Sequence, residues 1–200
     1  MSVAEPDRAE QLARRRQLLV QHFMFGPGWE QGCPSCSFMA DHLDGMRPHL
    51  AQRDLAVCVV SRAPLDQIQR FQQRMGWRFP WASSHGSSFN FDFCVSFEER
   101  ASDQGEVYYN YAMRAFPQTE APGLSVFVKD TEGSVFHAYS TYGRGVEAMM
   151  GTYPLLDLTP KGRNEDALPY TMAWVKHHDR YEPAATATAS KASGCCASHA

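Results

Sequence analysis

The fold can be inferred from residues 18–60, which read LLVQHFMFGPGWEQGCPSCSFMADHLDGMRPHLAQRDLAVCVV. Residues 18–25 are mostly apolar and aromatic and end at a Gly-Pro-Gly turn, which predicts a strand that runs into a loop. After the two cysteines, apolar residues recur at spacings of three and four, the pattern of a helix that Pro48 should end or kink. Residues 55–60 form a short β-branched run that is typical of a strand buried in a parallel sheet. The order strand, helix, strand predicts a parallel pair with a right-handed crossover.

The rest of the chain adds a second helix and a hairpin. Residues 64–75 carry an apolar stripe at helical spacing, and Gly76 is expected to end that helix. Residues 77–118 are aromatic and Ser-rich without clean periodicity, which predicts a long irregular insertion or the wall of a pocket. Residues 124–139 alternate on both sides of a DTEG turn and predict a β-hairpin. The whole predicts an α/β fold of the thioredoxin-like plan: a mixed central sheet flanked by helices, with a long insertion before the C-terminal β-hairpin.

Composition sets the domain organisation and excludes several classes of protein. The chain has 200 residues, 44% of them hydrophobic, and a net charge of -3. We expect a leading helix over 1–17, one domain over 18–181, and a disordered tail rich in Ala, Ser and Thr over 182–200. The net negative charge argues against nucleic acid as a partner. No apolar run is long enough for a membrane span or a secretory signal, so we predict a cytoplasmic protein without membrane contact.

The most informative motif is the C-x-x-C of Cys33 and Cys36. Pro34 suits the first turn of a helix, which places Cys33 at the helix cap. Unpaired N–H groups and the helix dipole stabilise a thiolate there. We therefore expect Cys33 to attack a substrate disulfide and Cys36, one turn along, to resolve the mixed disulfide. Trp29 and Pro34 are expected to line the substrate site.

The other four cysteines are predicted to have smaller roles. Cys58 lies within the buried strand and Cys94 lies between two apolar residues, so both are predicted to be core thiols. Cys195 and Cys196 lie in the tail, where they could act as a flexible electron-transfer arm but more simply belong to a segment without function.

Two other functions remain open for the same cysteines. A thiol pair with one histidine can hold copper or zinc, and His85, His137 and His177 are the candidate third ligands. The alternative is therefore a thioredoxin-fold metal-binding protein that uses Cys33 and Cys36 without turnover. A third possibility is an interaction scaffold whose thiols are idle.

Six stretches of the chain carry a resemblance to a known family. They are FMFGPGWEQGCPSCSFMADHLDG (23–45), SRAP (61–64), MGWRFPWASS (75–84), FHAYSTYGRG (136–145), LDLTPKGR (156–163) and WVKHHDRY (174–181). Together they resemble a thioredoxin-like bacterial family catalogued as domain of unknown function 899. The resemblance implies a thioredoxin-like fold and a dithiol–disulfide oxidoreductase activity, without naming a substrate.

Two features of related redox proteins are matched only in part. Thioredoxins place a cis-proline directly before the first hairpin strand. Pro122 is the nearest candidate for such a substrate-binding residue, although Gly123 holds the equivalent position. Peroxiredoxins carry Pro and Thr at a fixed spacing before their reactive cysteine; Pro27 is too far from Cys33 and no Thr intervenes, so peroxidase activity is not predicted.

The sequence thus predicts a dithiol–disulfide oxidoreductase that needs no cofactor. Its expected partners are a disulfide-containing protein or small thiol substrate and an electron donor that the sequence does not identify.

Overall fold

The computed structural model describes residues 14–98 and 105–182. Within these ranges, the larger sheet consists of Gln17–His22 (β1), Leu55–Ser61 (β2), Trp81–Ser83 (β3), Gly123–Lys129 (β6) and Val135–Tyr142 (β7). The smaller sheet is a hairpin of Val107–Tyr109 (β4) and Ala112–Arg114 (β5). The α-helices are Pro34–Ala51 (α1), Leu65–Met75 (α2), Phe89–Asp92 (α3) and Thr152–Asp157 (α4). The 3₁₀ helices are Gly143–Met149 and His178–Arg180.

The strands of the larger sheet lie in the order β3-β2-β1-β6-β7. The first three strands are parallel, whereas β6 is antiparallel to β1 and β7 is antiparallel to β6. A β-α-β unit with an antiparallel hairpin on the other side of its first strand is the thioredoxin-like arrangement. The predicted α/β fold, with a mixed central sheet flanked by helices, is therefore confirmed.

The two long helices begin and end largely where their sequences predict. Pro34 occupies the first turn of α1. At the end of α2, Gly76 adopts the left-handed conformation with a φ of 68°, which glycine reaches without steric cost. Pro48 does not end α1 as expected, because the helix continues to Ala51. Only the last turn lies beyond Pro48, so the single missing N–H falls where helices fray.

The segment 77–118 is more regular than predicted. Trp81–Ser83 pairs in parallel with the end of β2 and adds a third parallel strand to the sheet. The short helix α3 and the hairpin of β4 and β5 follow, so the prediction of an irregular insertion is wrong for these elements. A strand of three residues shows no alternation that a sequence pattern could reveal.

The predicted leading helix over 1–17 is wrong at its end. Gln17 already belongs to β1, and its N–H donates to the Asp54 carbonyl at 3.2 Å. Arg16 N–H donates to the Asp54 carboxylate at 3.1 Å. Residues 1–13 lie outside the described part, as do residues 183–200, so the predicted tail stays a prediction.

The sheet is covered on both faces. One face packs against α1 and α2, whose Met39 and Ile68 belong to the same buried cluster. The other face carries Cys58, which is 3% exposed and belongs to a second buried cluster. Burial raises the pKa of Cys58 to about 12, as expected of a core thiol. Cys94 is partly exposed with a φ of 52°, so its prediction as a buried core thiol is wrong.

No helix in the described part of the chain is both long and apolar enough to cross a bilayer.

Candidate active site

The backbone of Cys33 is held on both sides at the start of α1. Its N–H donates to the Met24 carbonyl at 3.0 Å, which ties it to the chain that leaves β1. Its carbonyl accepts hydrogen bonds from the N–H and the hydroxyl of Ser37, both at 2.9 Å. Because Cys33 is the N-cap residue, its side chain lies beside the N–H groups of the first helical turn, which have no partner within the helix.

The two thiols have opposite electrostatic environments. Cys33 is partly exposed, and its pKa is lowered to about 7. The largest cause is a hydrogen bond from the Cys36 thiol, and the N–H groups of Cys36 and Ser35 and the Ser35 hydroxyl act in the same direction against the effect of burial. Cys36 is fully buried, and its pKa is raised by burial and by the hydrogen bond that it gives to Cys33. Cys33 is therefore the thiol that ionises first and is accessible to a reagent.

Two hydrogen bonds from β1 and the loop after it hold Cys36 in place. Its sulfur accepts a hydrogen bond from the Met24 N–H at 3.5 Å. Its carbonyl accepts a hydrogen bond from Nε2 of Gln21 at 3.0 Å. The Gln21 side chain is fully buried, and its role is not predicted from the sequence. The one available signal is that Gln21 directly follows the apolar run of residues 18–20 in β1.

The C-terminal segment is attached to the residue before Cys33 through His177. One of its ring nitrogens, Nδ1, lies 3.3 Å from an Arg74 guanidinium nitrogen, and the other, Nε2, lies 2.8 Å from the Gly32 carbonyl oxygen. Arg74 can only donate, so Nδ1 is the acceptor and Nε2 carries the hydrogen that is donated to Gly32. Asp179 holds the same guanidinium through two hydrogen bonds of 2.8 and 2.9 Å. Burial is the largest cause of the lowered pKa of His177, which favours this neutral form.

The three residues predicted to bind substrate lie in different places. Pro34 is exposed at the first turn of α1. Pro122 lines an open cavity of about 420 Å³ together with Ser35 and Cys36. It is preceded by a trans peptide bond, since no cis bond occurs among the described residues.

Trp29 is not part of the lining of that cavity. It packs at the edge of the main core, and its indole nitrogen lies 3.1 Å from the position that a Cβ on Gly26 would occupy. Glu120 borders the same position at 3.2 Å, so Trp29 faces the buried Glu120 side of the loop. The structure therefore gives no contact that supports Trp29 as a wall of the cavity.

The histidines considered as metal ligands are dispersed. His85 is exposed, with Nδ1 3.3 Å from the Arg62 carbonyl, and His137 lies on the outer hairpin, 2.7 Å from the Ser140 hydroxyl. His177 reaches the motif only through the backbone of Gly32. Over residues 14–98 and 105–182, no three His, Cys, Asp or Glu side chains are grouped so that they could hold a metal ion. Cys195 and Cys196 lie outside these ranges.

Comparison with known families assigns the chain. The model of a family described as "Bacterial protein of unknown function (DUF899)" matches residues 8–181. The chain belongs to the DUF899 family. The matched region contains the C-x-x-C and also the C-terminal segment with His177, so the DUF899 model covers both parts of the site described above. No curated protein matches the chain.

Several solved structures resemble the chain distantly. The bacterioferritin comigratory protein of Xanthomonas campestris, whose structures concern alkyl peroxide reduction, is 14% identical, with 70% of this chain and 79% of that chain covered and a TM-score of 0.43. Peroxidoxin BcpB from Mycobacterium tuberculosis is 12% identical, with coverage of 72% and 84% and a TM-score of 0.44. A putative thioredoxin from Neisseria meningitidis is 11% identical, with coverage of 78% and 85% and a TM-score of 0.35. At these scores the assignment of the fold rests on the sheet order.

Proposed function

We propose that the protein is a thiol–disulfide oxidoreductase in which Cys33 is the nucleophile and Cys36 the resolving thiol. The observation that carries the proposal is the asymmetry of the pair. Cys33 is partly exposed at a helix N-terminus with a pKa lowered to about 7, whereas Cys36 is buried with a raised pKa. A structural thiol pair has no need for this difference, but a nucleophile and its resolving partner depend on it.

The proposed reaction has two exchange steps. The Cys33 thiolate attacks one sulfur of the substrate disulfide, the substrate S–S bond breaks, and one substrate thiolate leaves and takes up a proton. The Cys36 thiol then loses its proton, and its thiolate attacks the Cys33 sulfur of the mixed disulfide. A Cys33–Cys36 disulfide forms and the second substrate thiol leaves. Two electrons pass from the protein to the substrate, which yields two thiols.

The N-terminal turn of α1 supports both steps. When an external dithiol attacks the Cys33 sulfur of the protein disulfide, Cys36 leaves first; the groups that stabilise the Cys33 thiolate then make Cys33 a good leaving group as the second thiol of the reductant breaks the mixed disulfide. Cys36 follows Cys33 by three residues in the first turn of the helix, a spacing at which side chains are neighbours on the helix surface, so the second step requires no large movement. The substrate would be a disulfide-containing protein or a small disulfide, and an external dithiol would restore the reduced pair.

The proposal is tested by trapping the intermediate. Reduced protein with Cys195→Ser and Cys196→Ser is exposed to bis(2-hydroxyethyl) disulfide and analysed by intact-mass and peptide mass spectrometry. We expect the Cys36→Ser variant to accumulate one adduct on Cys33 and the Cys33→Ser variant to form none at the motif. Cys58→Ser is the matched control and should react like the parent, because the Cys58 thiol is buried in the core. Absence of the Cys33 adduct in the Cys36→Ser variant would contradict the proposal.

A further inference from the structure

The cavity beside the C-x-x-C has an unusual lining. Its walls come from chain segments far apart in sequence, from the loop after β1 to the region before the C-terminal segment. Besides Pro122, the apolar side chains that line it are Met24, Met39, Met150, Met172, Val146 and Tyr153. Methionine side chains are flexible and polarisable, and surfaces rich in them adapt to apolar ligands of different shapes. The volume of about 420 Å³ lies in the range of small-molecule sites.

The cavity lies beside the reactive sulfur, because Ser35 and Cys36 of the C-x-x-C motif line it, although Cys33 itself does not. Ser35 lines the cavity and lies two positions after Cys33 in the first turn of α1, where its N–H and hydroxyl help to lower the pKa of Cys33. Cys36 lines the wall next to it. A group attached to a sulfur that reacts with Cys33 can therefore extend past Ser35 along the apolar wall.

The charged residues of the lining are Arg144, Glu147 and Arg163, and each of them belongs to an ion pair. Arg144 lies 3.2 Å from the Glu147 carboxylate. Arg163 contacts Glu147 as well and is 2.8 Å from the Asp157 carboxylate. Because these charges are satisfied by each other, the lining favours an uncharged ligand over a charged one.

We propose, on the basis of the proposed function, that this cavity binds the uncharged alkyl or aryl group of a small-molecule disulfide. The group enters while the Cys33 thiolate attacks the sulfur that carries it. The S–S bond of the substrate breaks, the other half leaves as a thiolate that is protonated by solvent, and the apolar half stays bound to Cys33 as a mixed disulfide. Attack by Cys36 then releases it as a thiol and closes the Cys33–Cys36 disulfide.

Ligand binding can be measured without any redox chemistry. The Cys33→Ser protein, labelled with ¹³C at the methionine methyl groups, is titrated with hexan-1-ol and followed by NMR. We expect saturable shifts of the Met24, Met39, Met150 and Met172 methyl signals. The signal of Met113, which is 58% exposed on β5, is the internal control and should stay unchanged. Unchanged signals of the four lining methionines, or equal shifts of Met113, would overturn the proposal.

The rate of reaction at Cys33 provides a second test of the cavity. In the Cys36→Ser variant, the second-order rate at Cys33 is measured with alkyl methanethiosulfonates, which share one leaving group and differ only in the transferred alkylthio group. Complete burial of one methylene corresponds to about a fourfold rate increase, so we expect the hexyl reagent to react at least about tenfold faster than the propyl reagent. Met150→Lys should remove this preference and the milder Met150→Gln should reduce it, whereas Met113→Gln should preserve it.

The two measurements separate this proposal from the proposed function. Equal rates for all reagents together with unshifted methyl signals overturn the cavity proposal and leave the nucleophilic role of Cys33 intact. Shifted methyl signals together with a Cys33 that reacts no faster than a free model thiol overturn the proposed function and the substrate assignment, and leave the cavity as an apolar-ligand site.

Discussion

The contact between His177 and the residue before Cys33 makes a quantitative prediction. Nε2 of His177 donates to the buried Gly32 carbonyl at 2.8 Å, and the ring is 2% exposed. It also packs edge-on against Phe71, with the ring centroids 5.3 Å apart. His177→Phe keeps an aromatic ring against Phe71 and removes both nitrogen atoms, so it isolates the hydrogen bonds from the packing.

The expected loss of folding free energy in His177→Phe follows from the polar groups that the substitution leaves without partners. A buried carbonyl that loses its hydrogen bond costs about 1–3 kcal/mol. The Arg74 guanidinium loses a longer contact of 3.3 Å but keeps its two hydrogen bonds to Asp179, so it adds little. For a domain of this size each kcal/mol lowers Tm by about 2–4 °C, which gives an expected decrease of about 2–12 °C.

The assay is calorimetric unfolding of the reduced protein near neutral pH. His177→Gln retains an amide N–H that can reach the carbonyl, so its Tm should lie between those of the parent and His177→Phe. His49→Phe, at an exposed position on α1, is the matched control and should leave Tm nearly unchanged. A His177→Phe variant that unfolds at the same temperature as His49→Phe would refute the reasoning, because the Gly32 bond would then contribute nothing.

Two further predictions concern the core around the site. Burial lowers the pKa of His22 to about 3, so on acidification the unfolded chain binds a proton at this residue before the folded protein does. Below about pH 6.5 this difference should lower the free energy of unfolding by about 1.4 kcal/mol per pH unit. Urea unfolding of the His22→Gln variant should therefore show a smaller dependence of stability on pH. A Cβ at residue 32 would lie 2.5 Å from Phe23 Cε1 and 2.9 Å from Phe71 Cε1, so Gly32→Ala should destabilise the domain by about 1–3 kcal/mol in urea unfolding. Gly45→Ala, where nothing lies within 4 Å of the new Cβ, is the control and should stabilise α1 by up to about 1 kcal/mol; a Gly32→Ala variant as stable as the parent would contradict the predicted clash.

The parts of the fold predicted correctly are those determined by local pattern. The apolar run of 55–60 and the helical spacing after Cys36 place a strand and a helix directly, and the right-handed crossover rule then fixes their arrangement. The turn between residues 124 and 139 gives the hairpin in the same way. The C-x-x-C motif can be recognised in the sequence because its two cysteines are only three positions apart.

The parts that were missed depend on contacts between distant residues. The sequence offers His177 as a candidate metal ligand, whereas in the structure it binds the Gly32 carbonyl 145 positions away in the chain. Gln21 reaches the Cys36 carbonyl across the sheet face, and no spacing rule connects the two residues. The cavity combines Met24 with Met172, which only the folded chain brings together.

The pH dependence of alkylation decides whether Cys33 is the activated thiol of the pair. Reduced protein is treated with limiting iodoacetamide at several values between about pH 5 and 9, and the modification of each cysteine is quantified by peptide mass spectrometry. We expect the rate of Cys33 alkylation to rise with a midpoint at about pH 7, while Cys36 stays unmodified throughout the range. A Cys33 midpoint at or above about 8.5, the value of an unperturbed thiol, or alkylation of Cys36 before Cys33, would contradict it.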